Sequence, residues 1–321
     1  MNTILNDIIK EEYDIQKAID LYSEILKVNH NDVDAYNNRG LLYTQNPETY
    51  KKALEDFNKA LELNPNYSVA YFNRGFLYSK NIETYNEALL DYNKAIELDP
   101  NNKDTYNNRG LLYLENPKTY KKALADFNTA IELNPYYAKT YNNRGLLYSK
   151  NPETYNEALS DYNKAIELDS NYAIAYNNRG NLYSENPETY NEALSDFNKA
   201  IELNPNYIDA YFDRALLYSE NTETYNEALS DYNKVIELNP NDINVYYDRG
   251  ILYSEHIETY KEALLDYNKA IELNPNYKEA YNNRGILLSE MAEIEKDLEK
   301  KKEYEERAKV DMDKVEELMK K

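Results

Sequence analysis

The chain has no cysteine, which excludes disulfides, thiolate metal sites and a cysteine nucleophile. It has only two histidines, His30 and His256, far apart and each in a break between helical stretches. They read as ordinary solvated loop residues. No His/Glu metal pair, glycine-rich phosphate loop or nucleophile-bearing elbow is present. The expectation is therefore no enzyme, no metal and no cofactor. Positive charge is scarce: 37 Lys and Arg stand against 58 Asp and Glu, a formal net charge of −21. Phosphate recognition needs clustered Lys and Arg, so nucleic acid is not the expected partner. A basic peptide or protein matches better, and the acidic field would speed such encounters in a salt-dependent way. No apolar run approaches the roughly 20 residues that span a bilayer. The start of the chain lacks a basic segment followed by a long apolar core. The expectation is a soluble, cytoplasmic protein without a membrane partner.

Glycine and proline are few and strictly placed. All seven glycines occupy one column (Gly40, Gly75, Gly110, Gly145, Gly180, Gly250 and Gly285), and all ten prolines fall in two loops. These columns belong to a repeat. The stretch Ala35-Tyr36-Asn37-Asn38-Arg39-Gly40 returns, nearly unchanged, every 35 residues through Ala280–Gly285. Five aromatic positions recur with it (Tyr36, Tyr43, Tyr50, Phe57 and Tyr67). Codon bias alone would raise the 36 tyrosines, but a recurring position implies a structural role for the ring.

Residues 33–67 serve as the template. Tyr36, Gly40 and Tyr43 lie at i, i+4 and i+7, the stripe of an amphipathic helix. Asn46-Pro47 breaks it. Thr49 is expected to cap the next helix with its side-chain oxygen. In five copies a Glu follows three residues later, as Glu157 follows Thr154, which reads as a capping box. The second helix is expected from about Tyr50 to Leu63, with Ala53, Phe57 and Ala60 as its stripe, until Asn64-Pro65 ends it. Gly40 inside a helix should cost about 1 kcal/mol against Ala. Its recurrence predicts that the Phe57-column ring lies against bare backbone.

Tyr36, Gly40, Tyr43, Ala53, Phe57, Ala60 and Pro65 resemble the signature of the tetratricopeptide repeat, a 34-residue helix–turn–helix unit. Here the unit has 35 residues, the extra one falling between Tyr43 and Ala53, and Arg39 replaces the Leu of the family pattern. The resemblance implies an all-α, right-handed superhelical solenoid of antiparallel helix pairs, about nine in number. Residues 1–32 read as a degenerate capping repeat and 33–277 as seven regular repeats. Residues 278–321 read as an extended last repeat with a capping helix. At the front, Ala18, Tyr22 and Ile25 continue the second-helix stripe after a short first helix at 2–12. At the back, Ala308, Met312 and Val315 arrive ten residues late, so both helices should be longer, with a turn near Lys300–Lys302.

A feature present in every repeat points to architecture; a surface feature that varies points to recognition. Arg39 and its copies recur with Asp56 and its copies, which predicts an Arg–Asp tether within a unit or between successive units. In the family the first helix of each unit lines the concave groove. The resemblance thus assigns the columns of Asp34, Asn37, Asn38, Leu41, Thr44 and Gln45 to a peptide-binding face. Its candidate residues are Asn37, Asn38, Asn73, Asn107, Asn108, Asn142, Asn143, Asn177, Asn178, Asn282 and Asn283. To these are added the positions where the pattern breaks: Phe72, Phe76, Phe212, Asp213, Tyr247 and Asp248. A side-chain amide both donates and accepts, which suits a peptide backbone; the same amides could instead make inter-helix contacts, and both readings stand. Aromatic breaks could anchor a ligand. Glu220, Glu255 and Glu290, where earlier units have Gln45 and Lys80, should favour Lys or Arg. The clamp that binds chaperone tails is not expected, because its Lys and Arg positions are not occupied in register; Asn181 and Lys139 are isolated matches. The reading is a non-catalytic scaffold for an extended peptide or helix. The alternatives are a self-associating spacer, with homo-oligomers not predicted, or a regulatory module for an enzyme on another chain.

Overall fold

A computed structural model describes residues 2–320, with side chains from Asp14 onward. After one long helix, Asn2–Val28, the chain forms eight helix pairs, here called helix A and helix B of each repeat. It divides into two compact bodies at Leu168/Asp169. The first holds the long helix and the pairs Val33–Tyr43 with Tyr50–Leu63, Ser68–Ser79 with Tyr85–Leu98, Lys103–Leu114 with Tyr120–Leu133, and Ala138–Ser149 with Tyr155–Leu168. The second holds Ala173–Ser184 with Tyr190–Leu203, Ile208–Ser219 with Tyr225–Leu238, Ile243–Ser254 with Tyr260–Leu273, and Lys278–Ile294 with Leu298–Met319. Within each body every A helix packs on its own B helix, each B on the next A, and neighbouring A helices touch. No described residue lies in a strand, and no described helix is long and apolar enough to cross a membrane.

The expected stripes form the core. Ala53, Phe57 and Ala60 are fully buried, as are Ala123, Phe127 and Ala130. The Gly40 column fits the predicted role: a Cβ built on Gly40 would lie 2.9 Å from Phe57 Cε1, and one on Gly110 only 2.6 Å from Phe127 Cε1. The glycine thus trades helix propensity for close approach of helix B. At Gly285 the neighbour is Met312, 2.8 Å from such a Cβ, as the late stripe of the last repeat requires.

The Arg–Asp pairs are present and bidentate. Arg74 donates from Nε and Nη2 to both oxygens of Asp91 at 2.7 Å, and Arg109 grips Asp126 in the same way. The tether also crosses repeats, through a partner absent from the sequence reading. Arg74 Nη1 donates to Asn58 of the preceding B helix at 2.5 Å, and Arg109 Nη1 to Asn93 at 2.6 Å. Two tyrosines flank the guanidinium in every pair but the last, where Leu288 replaces the second ring; Arg74 lies 5.6 Å from the Tyr71 ring and 6.0 Å from that of Tyr78, within cation–π range. Burial raises the Asp91 carboxyl above its ordinary range while the guanidinium opposes the rise. The net worth of such a pair is small, but removing one partner strands a buried charge.

Three local expectations are corrected. Thr49 does not cap helix B. A 3₁₀ turn, Pro47–Thr49, precedes that helix, and its cap is Asn46, whose side chain accepts from the Glu48 amide. Thr49 instead donates backward to the carbonyls of Tyr43 and Asn46. Thr154 does the same with Tyr148 and Asn151, so its role with Glu157 is not a capping box. The physical reason is backbone conformation: as the last residue of the turn, Thr49 sits at φ −99° and ψ 10°, not in the extended conformation of a capping residue, and its hydroxyl is committed to the two carbonyls behind it. At the front, Asn2–Val28 is one continuous helix rather than a pair, since residues 10–17 contain neither proline nor glycine to break it. At the back, the turn falls between Ile294 and Leu298, ahead of Lys300–Lys302, where Asp297 accepts from the amides of Glu299 and Lys300.

Candidate peptide-binding face

Helix geometry decides which A-helix positions stay open. At about 100° per residue, positions 34, 38, 41 and 45 share one narrow face, whereas position 37 lies about 60° to one side of position 34. Asp34, Leu41 and Gln45 are exposed and Asn38 is half-buried, but Asn37 is only 2 % exposed. Asn107, Asn142 and Asn177 are buried too. The sequence reading put both asparagine columns at the ligand; the structure turns the Asn37 column inward, toward the next repeat. Asn282, in the last repeat, is half-buried and donates to Asn283 Oδ1 at 3.2 Å.

The two columns form a ladder in which position 38 of one repeat meets position 37 of the repeat before it. Asn73 Nδ2 donates to Asn37 Oδ1 at 2.9 Å, and Asn143 Nδ2 to Asn107 Oδ1 at 3.0 Å. In the second body Asn177 Nδ2 donates to Asp213 Oδ2 at 2.7 Å, and Asn283 Nδ2 to the Tyr247 hydroxyl at 3.1 Å. Asn181 Nδ2 also reaches Asp213 Oδ2 at 2.7 Å, which accounts for the lone Asn in the Leu41 column. Asn38 accepts from Asn37, and Asn178 is half-buried and engaged.

One rung in each body cannot form. Asn108 follows Phe72, and Asp248 follows Phe212; a phenyl ring has no polar atom to offer. Asn108 Oδ1 accepts from Asn107 Nδ2 at 3.3 Å, but among the described residues nothing holds its own Nδ2. It lines a pocket of about 250 Å³ with Phe76, Leu111, Leu114 and Glu115. Phe76 is 38 % exposed there, with the Lys80 ammonium 5.0 Å from its ring centroid. The other aromatic breaks are half-buried and pack on their own B helices: Phe72 on Tyr92, Phe212 on Tyr232 and Tyr247 on Tyr267, each at 6.2 Å between centroids. Burial raises both Asp213 and Asp248 above the ordinary carboxyl range. The two amides of Asn177 and Asn181 oppose this at Asp213, whereas Asp248, without them and near Asp242, is pushed up to about 6.

The exposed A-helix face is more apolar than the asparagine count suggests. Leu41 and Phe76 are exposed on the A helices of the first body, and Leu216, Ile251 and Ile286 on those of the second. Their signal in the sequence is an apolar column lying off the packing stripe. Glu220, Glu255 and Glu290 are exposed at the C-terminal end of the same helices. The histidines are exposed, His256 lying 5.0 Å from the Tyr225 ring, and no cluster of three potential metal ligands occurs among the described residues.

A family profile described as TPR repeat matches residues 48–81, 83–116, 153–186, 188–221, 223–256 and 258–291, and one described as tetratricopeptide repeat matches 104–137. No curated protein matches the chain. Among solved structures, PilF of Pseudomonas aeruginosa is similar at 21% identity and a TM-score of 0.55, over 66% of this chain and 94% of that one. The human IFIT1 dimer with m7Gppp-AAAA is similar at 16% identity and a TM-score of 0.68, over 95% of this chain and 77% of that one. Cut9–Hcn1, from the APC/C hetero-tetramer, is similar at 17% identity and a TM-score of 0.64, over 83% of this chain and 51% of that one. At these identities the likeness extends to the fold.

Proposed function

Because the chain belongs to the tetratricopeptide repeat family, we propose that it is a non-catalytic scaffold binding an extended peptide along the exposed face of its A helices. The observation that carries this reading is the open rung at Asn108. A half-buried amide there has a donor left over, beside an exposed Phe76 in a pocket of about 250 Å³. An amide beside an apolar anchor suits a peptide, which presents a backbone carbonyl and a side chain together. The ladder amides that are already paired hold the repeats in register and contribute less to a ligand. The capped oligonucleotide in the IFIT1 structure is that protein's ligand. Here a formal charge of −21 disfavours a polyanion and favours a basic peptide; within the second body Glu220, Glu255 and Glu290, exposed at the ends of its A helices, add to that preference.

The test is selection of a displayed random peptide library on the full chain, followed by calorimetry on the recovered peptides. Wild type is expected to retain peptides, and Phe76→Ala combined with Asn108→Ala to weaken those bound at the first body about tenfold or more, with the circular dichroism melt unchanged. Recovery of no peptide, or equal affinity in the double variant, would refute the proposal.

A further inference from the structure

The second open rung differs from the first in charge. One repeat earlier, Asp213 is held by two amides, Asn177 and Asn181, both at 2.7 Å. Shifted by one 35-residue repeat, those donor positions become Phe212 and Leu216, which have no polar side-chain atom. Asp248 is half-buried, and no side-chain hydrogen bond reaches it among the described residues. Its own Arg neighbour is taken, because Arg249 grips Asp266 with Nε and Nη2 at 2.7 Å. The hydroxyl of Tyr247 is engaged by Asn283. Around the site, the Tyr247 and Tyr277 rings lie 5.0 Å apart, and Leu216 and Ile251 stand exposed on the same face.

A carboxylate that loses its donors and keeps its burial is costly unless something supplies positive charge. Among the described residues none is found nearby: the side chains that feel Asp248 electrostatically are Tyr232 on the preceding B helix, Tyr277 after the following B helix, and Tyr247 and Asp242 on its own segment. All of these are neutral or acidic. An apolar rim around one unpaired carboxylate fits a long aliphatic stem ending in a cation. We infer that Asp248 is the specificity site of the binding face and receives the Lys or Arg side chain of a bound peptide, whose stem lies along Leu216 and Ile251. This rests on the peptide-binding reading above and adds a residue preference to it.

Two variants of the full chain test the inference. Asp248→Asn removes the charge. Phe212→Asn keeps the carboxylate but restores a ladder donor, closing the rung. Displayed peptides selected on wild type are expected to carry Lys or Arg at one fixed position, and either variant should bind them about tenfold more weakly. Substituting that position in the peptide by norleucine should cost the same in wild type and nothing in Asp248→Asn. Peptides with no basic preference would overturn this inference and leave the peptide-binding reading standing; recovery of no peptide sinks both. An independent readout needs no peptide. Carbon-13 NMR of the Asp248 carboxyl, with n-butylammonium and then methylguanidinium chloride as probes, should show its titration midpoint falling, because a cation favours the ionised form. An unchanged midpoint with both probes counts against the site, and the stronger of the two identifies Lys or Arg as the preferred side chain.

Discussion

Replacing Asp248 with Asn should stabilise the folded protein, and should do so only where the carboxyl is ionised. Burial lifts this group from an ordinary 3.8 to about 6. The folded state therefore holds the proton more tightly than the unfolded state. The protonated group's contribution is fully present below about pH 4 and is lost as pH rises through about 6. A rise of roughly two pKa units corresponds to about 3 kcal/mol at 1.36 kcal/mol per unit; because the group is only half-buried, screening leaves about 1–2 kcal/mol. Asp248→Asn has no charge to desolvate, so its advantage should be about 1–2 kcal/mol near neutral pH and close to zero near pH 4. Urea denaturation followed by circular dichroism at both pH values measures this. Because repeat arrays can unfold in parts, amide exchange in helix Ile243–Ser254 should localise the gain. Asp213→Asn is the control: it gives up two charge-assisted hydrogen bonds and should gain less. Equal midpoints at neutral pH, or the same gain at both pH values, would refute the argument that an unpaired charge is stored there. A residue whose neutral replacement is more stable, yet binds worse, is what a site that sacrifices stability for recognition looks like.

Other perturbations read the architecture. Gly110→Ala should destabilise by about 1–3 kcal/mol through the Phe127 contact, while Gly75→Ala, whose Cβ would sit 3.0 Å from Tyr92 Cδ1, should cost less because helix propensity offsets part of it; thermal melts would expose a reversed order. Asp126→Ala should cost about 3–5 kcal/mol by stranding Arg109, and adding Arg109→Met should recover part of that loss; urea midpoints showing no recovery would count against a desolvated pair. Asn81→Ala removes the side chain that accepts from the Glu83 amide and should cost about 1 kcal/mol. Thr84→Val should cost a similar amount through its bonds to the Tyr78 and Asn81 carbonyls, whereas Thr84→Ser should retain those bonds.

The repeat, its two helices, their packing stripes and the Arg–Asp pairing can all be read from the residues alone. Each of these is local: the breaks are written in Asn-Pro pairs, the stripes in a period of 3.6, and Arg39 reaches Asp56 across a single turn. The Gly40 column even announced the ring it faces. Tertiary structure decided what lies between repeats. The helical period sets Asn37 about 60° to one side of the face that Asn38 shares with Asp34 and Leu41, but which side is covered is decided by the next A helix, which buries Asn37 and leaves Asn38 half open. Asp213 and Asp248 occupy the same column in the same residue type, yet one is held by two amides and the other by none, because their partners sit on the preceding repeat. Thr49 likewise turns backward because, as the last residue of the 3₁₀ turn, it lacks the extended backbone of a cap and its hydroxyl donates to the carbonyls behind it. The face that recognition would use is thus set by neighbours some 35 residues away, and the sequence shows it only once the ladder that joins the repeats is known.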